Sequence, residues 1–139
     1  MYIGIDYGLK RIGLAQSDNG LIARPLKTME NRGDKKNIDA LRMLLNEKSC
    51  PTFVLGLPLN TDGTDSDFAR VVRQFGELLH MELNVTVVYQ NERYTSWDAE
   101  HYIRTVMGVT DHKKIKDLID AVAATVILDG YLDKMNGGG

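Results

Sequence analysis

The spacing of apolar residues changes along the chain, and the first thirty residues read as strands. Short apolar runs and alternating patterns predict strands over residues 2–6, 11–17 and 21–28. The turn-forming sequence Asp18-Asn19-Gly20 separates the second and third of them. Because no helical spacing interrupts these segments, we predict an antiparallel meander.

From residue 38 onward, helical spacing alternates with apolar strand-like runs. A first helix is indicated by the spacing of Ile38, Leu41, Leu44 and Leu45. The continuous apolar run 52–57 predicts a strand covered on both faces, and residues 85–89 predict another. A capping box over residues 64–67 is expected to open the second helix. The apolar stripe of that helix consists of Phe68, Val71, Val72, Phe75, Leu78 and Leu79.

Two more helices complete the pattern. Thr95 with Asp98 can cap a third helix, whose apolar residues are Ala99, Ile103, Val106 and Met107. A polar loop over 108–114 then leads into a last helix from about 115 to 132. The order βββ-α-β-α-β-α-α predicts an α/β fold with a mixed five-stranded sheet, an antiparallel meander plus parallel strands, flanked by helices. Ribonuclease H-like folds share this order. We expect one domain over residues 1–134 and a flexible tail over 135–139.

Composition narrows the class of protein. The chain has 139 residues, 43% of them apolar and 26% charged, which suits one soluble domain. No run is long enough to span a membrane, and the first residues do not resemble a signal peptide. A lone cysteine, Cys50, excludes an internal disulfide. We therefore expect a cytoplasmic protein without a membrane partner.

The charge balance argues against a broad nucleic-acid-binding surface. The formal net charge is −2, whereas proteins that bind phosphate backbones through most of one face are basic. Charge alone would favour an enzyme that acts on a small molecule. If nucleic acid is the partner, it must bind to a local patch.

Three carboxylates stand where carboxylates are unusual. Asp6 ends the first predicted strand just before Tyr7-Gly8, and Glu92 follows a buried strand. Asp120 is the one charged residue in the apolar stretch 118–128, where an unpaired carboxylate would need a cation, hydrogen-bond donors or a raised pKa. Each also has an ordinary interpretation: Asp6 could cap a turn, Glu92 could pair with Arg93, and Asp120 could lie on a solvated helix face.

If the topology brings these acids to one edge of the sheet, they form a site of hard oxygen ligands. Such a site suits Mg²⁺ or Mn²⁺ rather than zinc. The three histidines, His80, His101 and His112, lack the spacing of metal ligands. Two metal ions held by carboxylates can activate a water and stabilise the leaving oxygen in phosphodiester hydrolysis.

Four segments, in order, carry a resemblance that covers nearly the whole chain. They are GIDYGLKRIGLA (4–15), VLGLPLNTDGT (54–64), ERYTS (92–96) and DAVAATVILDGYL (120–132). With this spacing the chain resembles the YqgF family, also called RuvX, which is described both as Holliday-junction resolvases and as pre-16S rRNA nucleases. The resemblance implies a ribonuclease H-like fold with active-site acids at Asp6, Glu92 and Asp120, which are also the predicted metal ligands.

The resemblance further implies an endonuclease that uses Mg²⁺ or Mn²⁺ and leaves a 5′-phosphate. Its substrate would be pre-16S rRNA, in processing of the 5′ end, or a four-way DNA junction. The protein would be a monomer or a homodimer, and a resolvase would need the symmetric dimer to cut two strands. The family commonly has an aspartate before the glutamate, whereas this chain has Asn91, which keeps an acceptor and loses the charge.

Candidate substrate contacts surround the acids. The family has a basic loop before the last helix. Here that loop holds Lys113 and Lys114, and nearby aspartates reduce its positive charge. These lysines either contact substrate or are simply solvated. Other polar residues could contact phosphates or serve as helix caps, pair partners or strand ends. These candidates are Lys10, Arg11, Asn60, Arg93, Thr95 and Ser96.

Two rival classes are compatible with parts of the sequence. GIDYG also resembles the first phosphate loop of the sugar-kinase and actin superfamily, but those proteins need two such domains and a second Gly-rich motif. Alternatively, the chain could be a non-catalytic assembly factor that binds ribosomal RNA. The three retained acids count against that alternative, while Asn91 and the modest basic loop favour it.

Overall fold

The computed structural model describes residues 1–46, 51–92 and 95–137, without the side chains of Asn46 and residues 95–98. Five strands and four helices follow one another in the predicted order. The strands are β1 (Tyr2–Tyr7), β2 (Arg11–Ser17), β3 (Arg24–Glu30), β4 (Thr52–Leu57) and β5 (Thr86–Asn91). The helices are α1 (Asp34–Asn46), α2 (Asp67–Leu83), α3 (Thr95–Thr105) and α4 (His112–Met135).

The strands form one mixed sheet in the order β3-β2-β1-β4-β5. β1 pairs with β2, and β2 with β3, in antiparallel fashion, whereas β4 is parallel to both β1 and β5. The predicted meander followed by parallel units is thereby confirmed. Because β1 lies in the centre of the sheet, helices can pack against both of its faces.

Alternation along β1 divides its side chains between two cores. Ile3, Ile5 and Tyr7 pack with buried residues of α1 and α2. Gly4 faces the other side, where α4 crosses the sheet and contacts every strand. Asp6 shares that second face because it stands two positions after Gly4. Helices therefore cover both faces, as predicted.

Glycines let α4 lie almost on the backbone of the sheet. A Cβ added to Gly4 would be 2.8 Å from the carbonyl oxygen of Ala124, and one added to Gly13 would be 1.9 Å from that of Asp120. Such distances are shorter than any van der Waals contact, so even a methyl group would push the helix away. On its far side α4 packs against α3 through Ile103, Val122 and neighbouring residues.

Two strand predictions need correction. β3 covers Arg24–Glu30 rather than 21–28 because the Asn19 side chain accepts hydrogen bonds from the backbone N–H groups of Leu21 and Ile22. The turn is therefore longer, and Leu21 and Ile22 are exposed. β5 runs from Thr86 to Asn91 rather than over 85–89, and it is an edge strand with half-buried side chains.

The helix ends differ from prediction in three places. Ser66 caps α2 by accepting from the N–H of Ala69, so the predicted box over 64–67 is wrong in register. α3 ends at Thr105, which leaves Val106 and Met107 exposed beyond it. α4 begins at His112 and ends at Met135, longer than the predicted 115–132.

In α2, Val71 is exposed although the pattern placed it on the apolar stripe. Cys50 lies outside the described residues, and so do Gly138 and Gly139 at the end of the predicted tail, whose flexibility stays a prediction. Within the described part of the chain, none of the helices is apolar and long enough to cross a bilayer.

Candidate active site

Asp6 lies in the middle of a row of residues that crosses all five strands. It pairs with Gly13 on β2, which pairs with Thr28 on β3. On the other side, the partners Ile5 and Leu55 make Gly56 the next position beside Asp6, and Gly56 pairs with Gln90. Asp6 is therefore flanked by glycines on both neighbouring strands. The missing side chains make room for the backbone of Asp120 over Gly13 and for the side chains of Ile127 and Glu92 over Gly56.

Asp120 lies over this row of residues, on α4. Its backbone oxygen lies directly over Gly13, the antiparallel partner of Asp6. This contact fixes the height and rotation of the helix, and thus places the Asp120 carboxylate beside the strand that carries Asp6. The carboxylate of Asp120 is 22% exposed, so the apolar helix sequence does not bury it fully.

Glu92 enters from the other side, just after β5. Its backbone N–H donates to the carbonyl oxygen of Leu57 at 2.8 Å, which extends the β4–β5 pairing by one step. Its Oε2 would lie 3.0 Å from a Cβ built on Gly56. The carboxylate shares the space over Gly56 with the side chain of Ile127, which is closer, and it forms a hydrogen bond with Asp6.

The acids perturb one another. Burial, the neighbouring charge and hydrogen bond of Glu92, and the charge of Asp120 together raise the pKa of Asp6 to about 8. Burial also raises the pKa of Glu92, while its hydrogen bond with Asp6 acts in the opposite direction. The shared proton thus rests on Asp6, whose O–H donates to Glu92. Since burial is the largest cause of the raised pKa of Asp6, this carboxyl lies where a charge without a close counter-ion is costly.

Asp120 is held by a cation from the sheet. The Nε of Arg11 donates to Asp120 Oδ2 at 2.9 Å, with side chains that are 45% and 22% exposed, respectively. Among the described residues, no three His, Cys, Asp or Glu side chains form a ready-made metal cluster. The ion pair explains this, because Asp120 is directed to Arg11 while Asp6 is directed to Glu92.

The turn between β1 and β2 borders the site and is tightly held. The N–H of Gly8 donates to the carbonyl of Arg11 at 3.0 Å, and a Cβ on Gly8 would be 2.6 Å from that oxygen. Asn31 donates from Nδ2 to the Gly8 carbonyl at 2.8 Å, and from its backbone to that of Lys10. Asn37, which is buried, donates in turn to Asn31 Oδ1.

These asparagines were missed by sequence reasoning. Asn31 and Asn37 fall in a polar segment with no apolar period, so their types and spacing resemble those of any loop and helix start. A bonded pair of asparagines that anchors a turn from the neighbouring strand is a tertiary feature. It could not be recognised before the register of β2 and β3 was known.

The predicted substrate residues are distributed unevenly around the acids. Lys10 and Arg11 border the site in the β1–β2 turn, and Lys113 and Lys114 are exposed in the first turn of α4, not in a loop. Asn60 donates to Thr64 Oγ1 and to the Asp65 carbonyl, so it closes its own loop and does not cap α2.

The remaining candidates follow β5. Asn91 is the exposed last residue of that strand. Thr95 and Ser96 open α3, but their side chains lie outside the described set. Arg93 lies outside the described residues altogether, together with any pairing to Glu92.

Solved structures share this fold. Thermus thermophilus RuvC superimposes with a TM-score of 0.55 at 14% identity, over 98% of this chain and 96% of that one. A fowlpox virus resolvase, solved with substrate Holliday junction DNA, gives a TM-score of 0.58 at 15% identity, over 96% and 97%. At such low identity the likeness concerns the fold alone. The fold is therefore ribonuclease H-like.

The sequence then gives the family. The family model described as "RuvX: Holliday junction resolvase" matches residues 1–134. Curated relatives named "Putative pre-16S rRNA nuclease" include one from Crocosphaera subtropica, 36% identical over 95% of this chain and 92% of the relative. Another, from Clostridioides difficile, is 38% identical over 94% and 92%. The chain belongs to the RuvX family of nucleases, which confirms the resemblance.

Proposed function

We propose that this chain is a divalent-metal-dependent endonuclease that hydrolyses phosphodiester bonds of structured nucleic acid, with Asp6, Glu92 and Asp120 as its catalytic acids. The observation that carries the proposal is the glycine-flanked position of Asp6, which Glu92 and Asp120 approach from opposite sides. The perturbed pKa of Asp6 supports it, since carboxylates forced together are common at functional sites.

The donor set fits Mg²⁺ or Mn²⁺. Carboxylate oxygens without thiol or imidazole partners are the ligands these ions prefer. A cation would favour the ionised form of Asp6, whose pKa is raised by burial and by the neighbouring charges of Glu92 and Asp120. Asp6, Glu92 and Asp120 would hold the ion, and its chemistry would be to polarise the phosphodiester and lower the pKa of water. Asp120 would have to exchange its contact with Arg11 for that ion.

The chain's own groups then have distinct parts. With an ion bound, Asp6 and Glu92 would both be ionised, because a nearby cation favours the carboxylate form, and their proton would pass to solvent. The guanidinium of Arg11 is half-exposed beside Asp120, so it would be free to bind a phosphate oxygen once Asp120 turned to the ion. Lys10, in the same turn, can bind the next phosphate along the strand. The tight turn fixes the direction of both side chains.

For the substrate, the names of the relatives favour pre-16S rRNA, and the processing that we propose is that of its 5′ end. The family description also supports the alternative, cleavage of four-way DNA junctions. Lys113 and Lys114, exposed at the start of the helix that carries Asp120, would extend the phosphate-binding patch toward either substrate. Arg93, Asn60, Thr95 and Ser96 remain proposed contacts on the β4 and β5 side.

The test is cleavage of a labelled 16S precursor RNA and of a four-way DNA junction in Mg²⁺, Mn²⁺ or EDTA. Asp6→Asn and Asp120→Asn would be compared with Asp117→Asn, an exposed carboxylate on the same helix. We expect metal-dependent cleavage of one substrate by the parent and by Asp117→Asn only, with 5′-phosphate ends. If folded parent binds RNA yet cleaves neither substrate in any metal, the non-catalytic assembly factor replaces this proposal.

A further inference from the structure

A recess adjoins Asp120 and the turn between β1 and β2. It has a volume of about 450 Å³ and is lined by Gly8, Leu9, Lys10, Arg11, Phe68 and Asp120. Asp120 forms one wall, so the recess is continuous with the proposed active site. Its remaining walls combine two cations with two apolar side chains.

Leu9 is unusual in this position. It stands at the tip of the β1–β2 turn with 77% of its surface exposed. An exposed leucine on a loose loop would need no explanation. This turn, however, is held by the hydrogen bonds of Asn31 to Gly8 and Lys10, so the leucine is presented in a fixed direction beside the acids.

Phe68 supplies the opposing apolar surface. It lies in the first turn of α2, and its ring centroid is 6.1 Å from that of Tyr7, at an angle of 34°. Tyr7 is itself packed on Phe75 at 4.7 Å and donates from its hydroxyl to Asp34. Phe68 is thus supported from below by the core, while its outer side faces the recess.

The chemistry of these walls matches one kind of occupant. A nucleotide offers a flat apolar base together with an anionic phosphate, and the recess offers apolar side chains together with Lys10 and Arg11. In a duplex both faces of each base are covered by stacking, so only an unpaired base could enter. The volume exceeds that of a single base, which leaves room for its ribose.

We propose that Leu9 and Phe68 hold the base of an unpaired nucleotide next to the phosphate that is cut, so that the enzyme selects single-stranded or frayed positions. This inference rests on the proposed nuclease function and specifies its substrate. Leu9 and Phe68 act as specificity residues, whereas the acids perform the reaction. Lys10 and Arg11 keep the flanking phosphate in register with the acids.

The test uses two RNA oligonucleotides that carry 2-aminopurine, one single-stranded and one fully paired. Binding is measured in Ca²⁺ by anisotropy, and insertion of the base by the change in 2-aminopurine fluorescence. The variants are Leu9→Ser, Leu9→Met and Phe68→Ala. Leu21→Ser is the matched control, because Leu21 is 63% exposed and follows the other end of β2.

We expect Leu9→Ser and Phe68→Ala to weaken single-strand binding roughly fivefold or more and to abolish the fluorescence change, as loss of a base contact does. Binding to the paired oligonucleotide should stay the same. Leu9→Met, which keeps an apolar side chain, should retain more of the single-strand binding and of the fluorescence change than Leu9→Ser, and Leu21→Ser should behave like the parent. Because Phe68 supports Tyr7, Leu9→Ser is the decisive variant: it removes only exposed surface.

The inference would be overturned if Leu9→Ser bound the single-stranded oligonucleotide as tightly as the parent does, with the same preference for it over the paired one. The same variants, assayed for cleavage in Mn²⁺, separate this failure from failure of the function. If the parent cleaves, and Leu9→Ser has the same KM and the same preference for unpaired substrate, only the base contact is refuted. A parent that cuts nothing refutes the nuclease function, while the fluorescence contrast still decides whether a base enters the recess.

Discussion

Arg11 and Asp120 form an ion pair with 2.9 Å between Nε and Oδ2, although 109 positions separate them in the sequence. Arg11 opens β2, and Asp120 lies on α4 directly above Gly13 of the same strand. Arg11 therefore engages Asp120, one of the three acids, while the other two, Asp6 and Glu92, share a proton. In this arrangement Arg11 offsets the charge of Asp120, and the proton on Asp6 removes a second negative charge.

Removal of Arg11 should make metal binding tighter. Arg11→Gln frees the Asp120 carboxylate and deletes a positive charge that repels a divalent cation, while a pair this exposed contributes under about 1 kcal/mol to stability. We expect Mn²⁺ affinity to rise several-fold in isothermal titration calorimetry. Lys10→Gln, one position away, should change it by less than about twofold. Equal or weaker Mn²⁺ binding by Arg11→Gln would contradict competition between arginine and metal.

Metal affinity should depend on pH through Asp6. Because the pKa of this carboxyl is raised to about 8 without metal, binding at pH 7 must displace its proton. Mn²⁺ affinity is expected to rise by about tenfold per pH unit below pH 8 and then level off. Calorimetry in buffers of different ionisation enthalpy should detect the released proton. No proton release at pH 7 would show that Asp6 is already ionised.

The same shift predicts how stability of the metal-free protein varies with pH. A carboxyl whose pKa is higher in the folded state binds a proton there that the unfolded state lacks, so its contribution is present at low pH and lost as pH rises through about 8. Asp6→Asn removes this loss and should stabilise the protein by at least about 1 kcal/mol at pH 8.5. Urea unfolding of the parent and of Asp6→Asn at pH 5.5 and 8.5 measures this difference in the free energy of unfolding.

The control for that measurement is Glu77→Gln, an exposed carboxylate on α2. It should shift the free energy of unfolding by less than about 0.5 kcal/mol at both pH values. If Asp6→Asn and Glu77→Gln respond alike to pH, the acids of the site do not repel one another in the folded protein.

Gly13 is expected to tolerate no side chain. In Gly13→Ala the new methyl would meet the backbone oxygen of Asp120 at 1.9 Å, and a backbone atom cannot move without the whole of α4. We expect a loss of about 3 kcal/mol in the free energy of unfolding, together with displacement of Asp120 and weaker Mn²⁺ binding. Thermal and urea denaturation would measure the loss.

Gly130→Ala is the matched control, since it adds the same methyl to α4 itself. Its nearest neighbour would be the amide nitrogen of Gln90 at 3.1 Å, the end of a side chain that can yield. Alanine is also favoured over glycine inside helices by about 1 kcal/mol. The variant should be neutral or slightly stabilised. Equal destabilisation by both changes would show that α4 is not seated on Gly13.

The sequence allowed the order of elements and the three acids to be predicted because these depend on local pattern and on the cost of burying charge. Asp120 stands out within an apolar helix, and Asp6 and Glu92 stand at strand ends. The start of β3 could not be located in this way, since the Asn19 side chain lengthens the turn by bonding two backbone groups.

The details of the site depend on contacts between distant segments. Nothing near Arg11 in sequence indicates that its partner is Asp120 rather than a phosphate. The support of the β1–β2 turn by Asn31 and Asn37 likewise needs β3 and α1 to be docked first. Such contacts follow from register and packing, which the pattern of apolar residues constrains only loosely.

The most direct test combines metal binding and catalysis in the same samples. Mn²⁺ affinity and single-turnover cleavage of the precursor RNA and the DNA junction would be measured for the parent, Asp6→Asn, Glu92→Gln and Asp120→Asn, with Asp117→Asn as control. If the three acids hold the metal that drives hydrolysis, each of the three variants loses both binding and cleavage, while the control keeps both. Cleavage at the parental rate by folded Asp6→Asn would contradict this assignment.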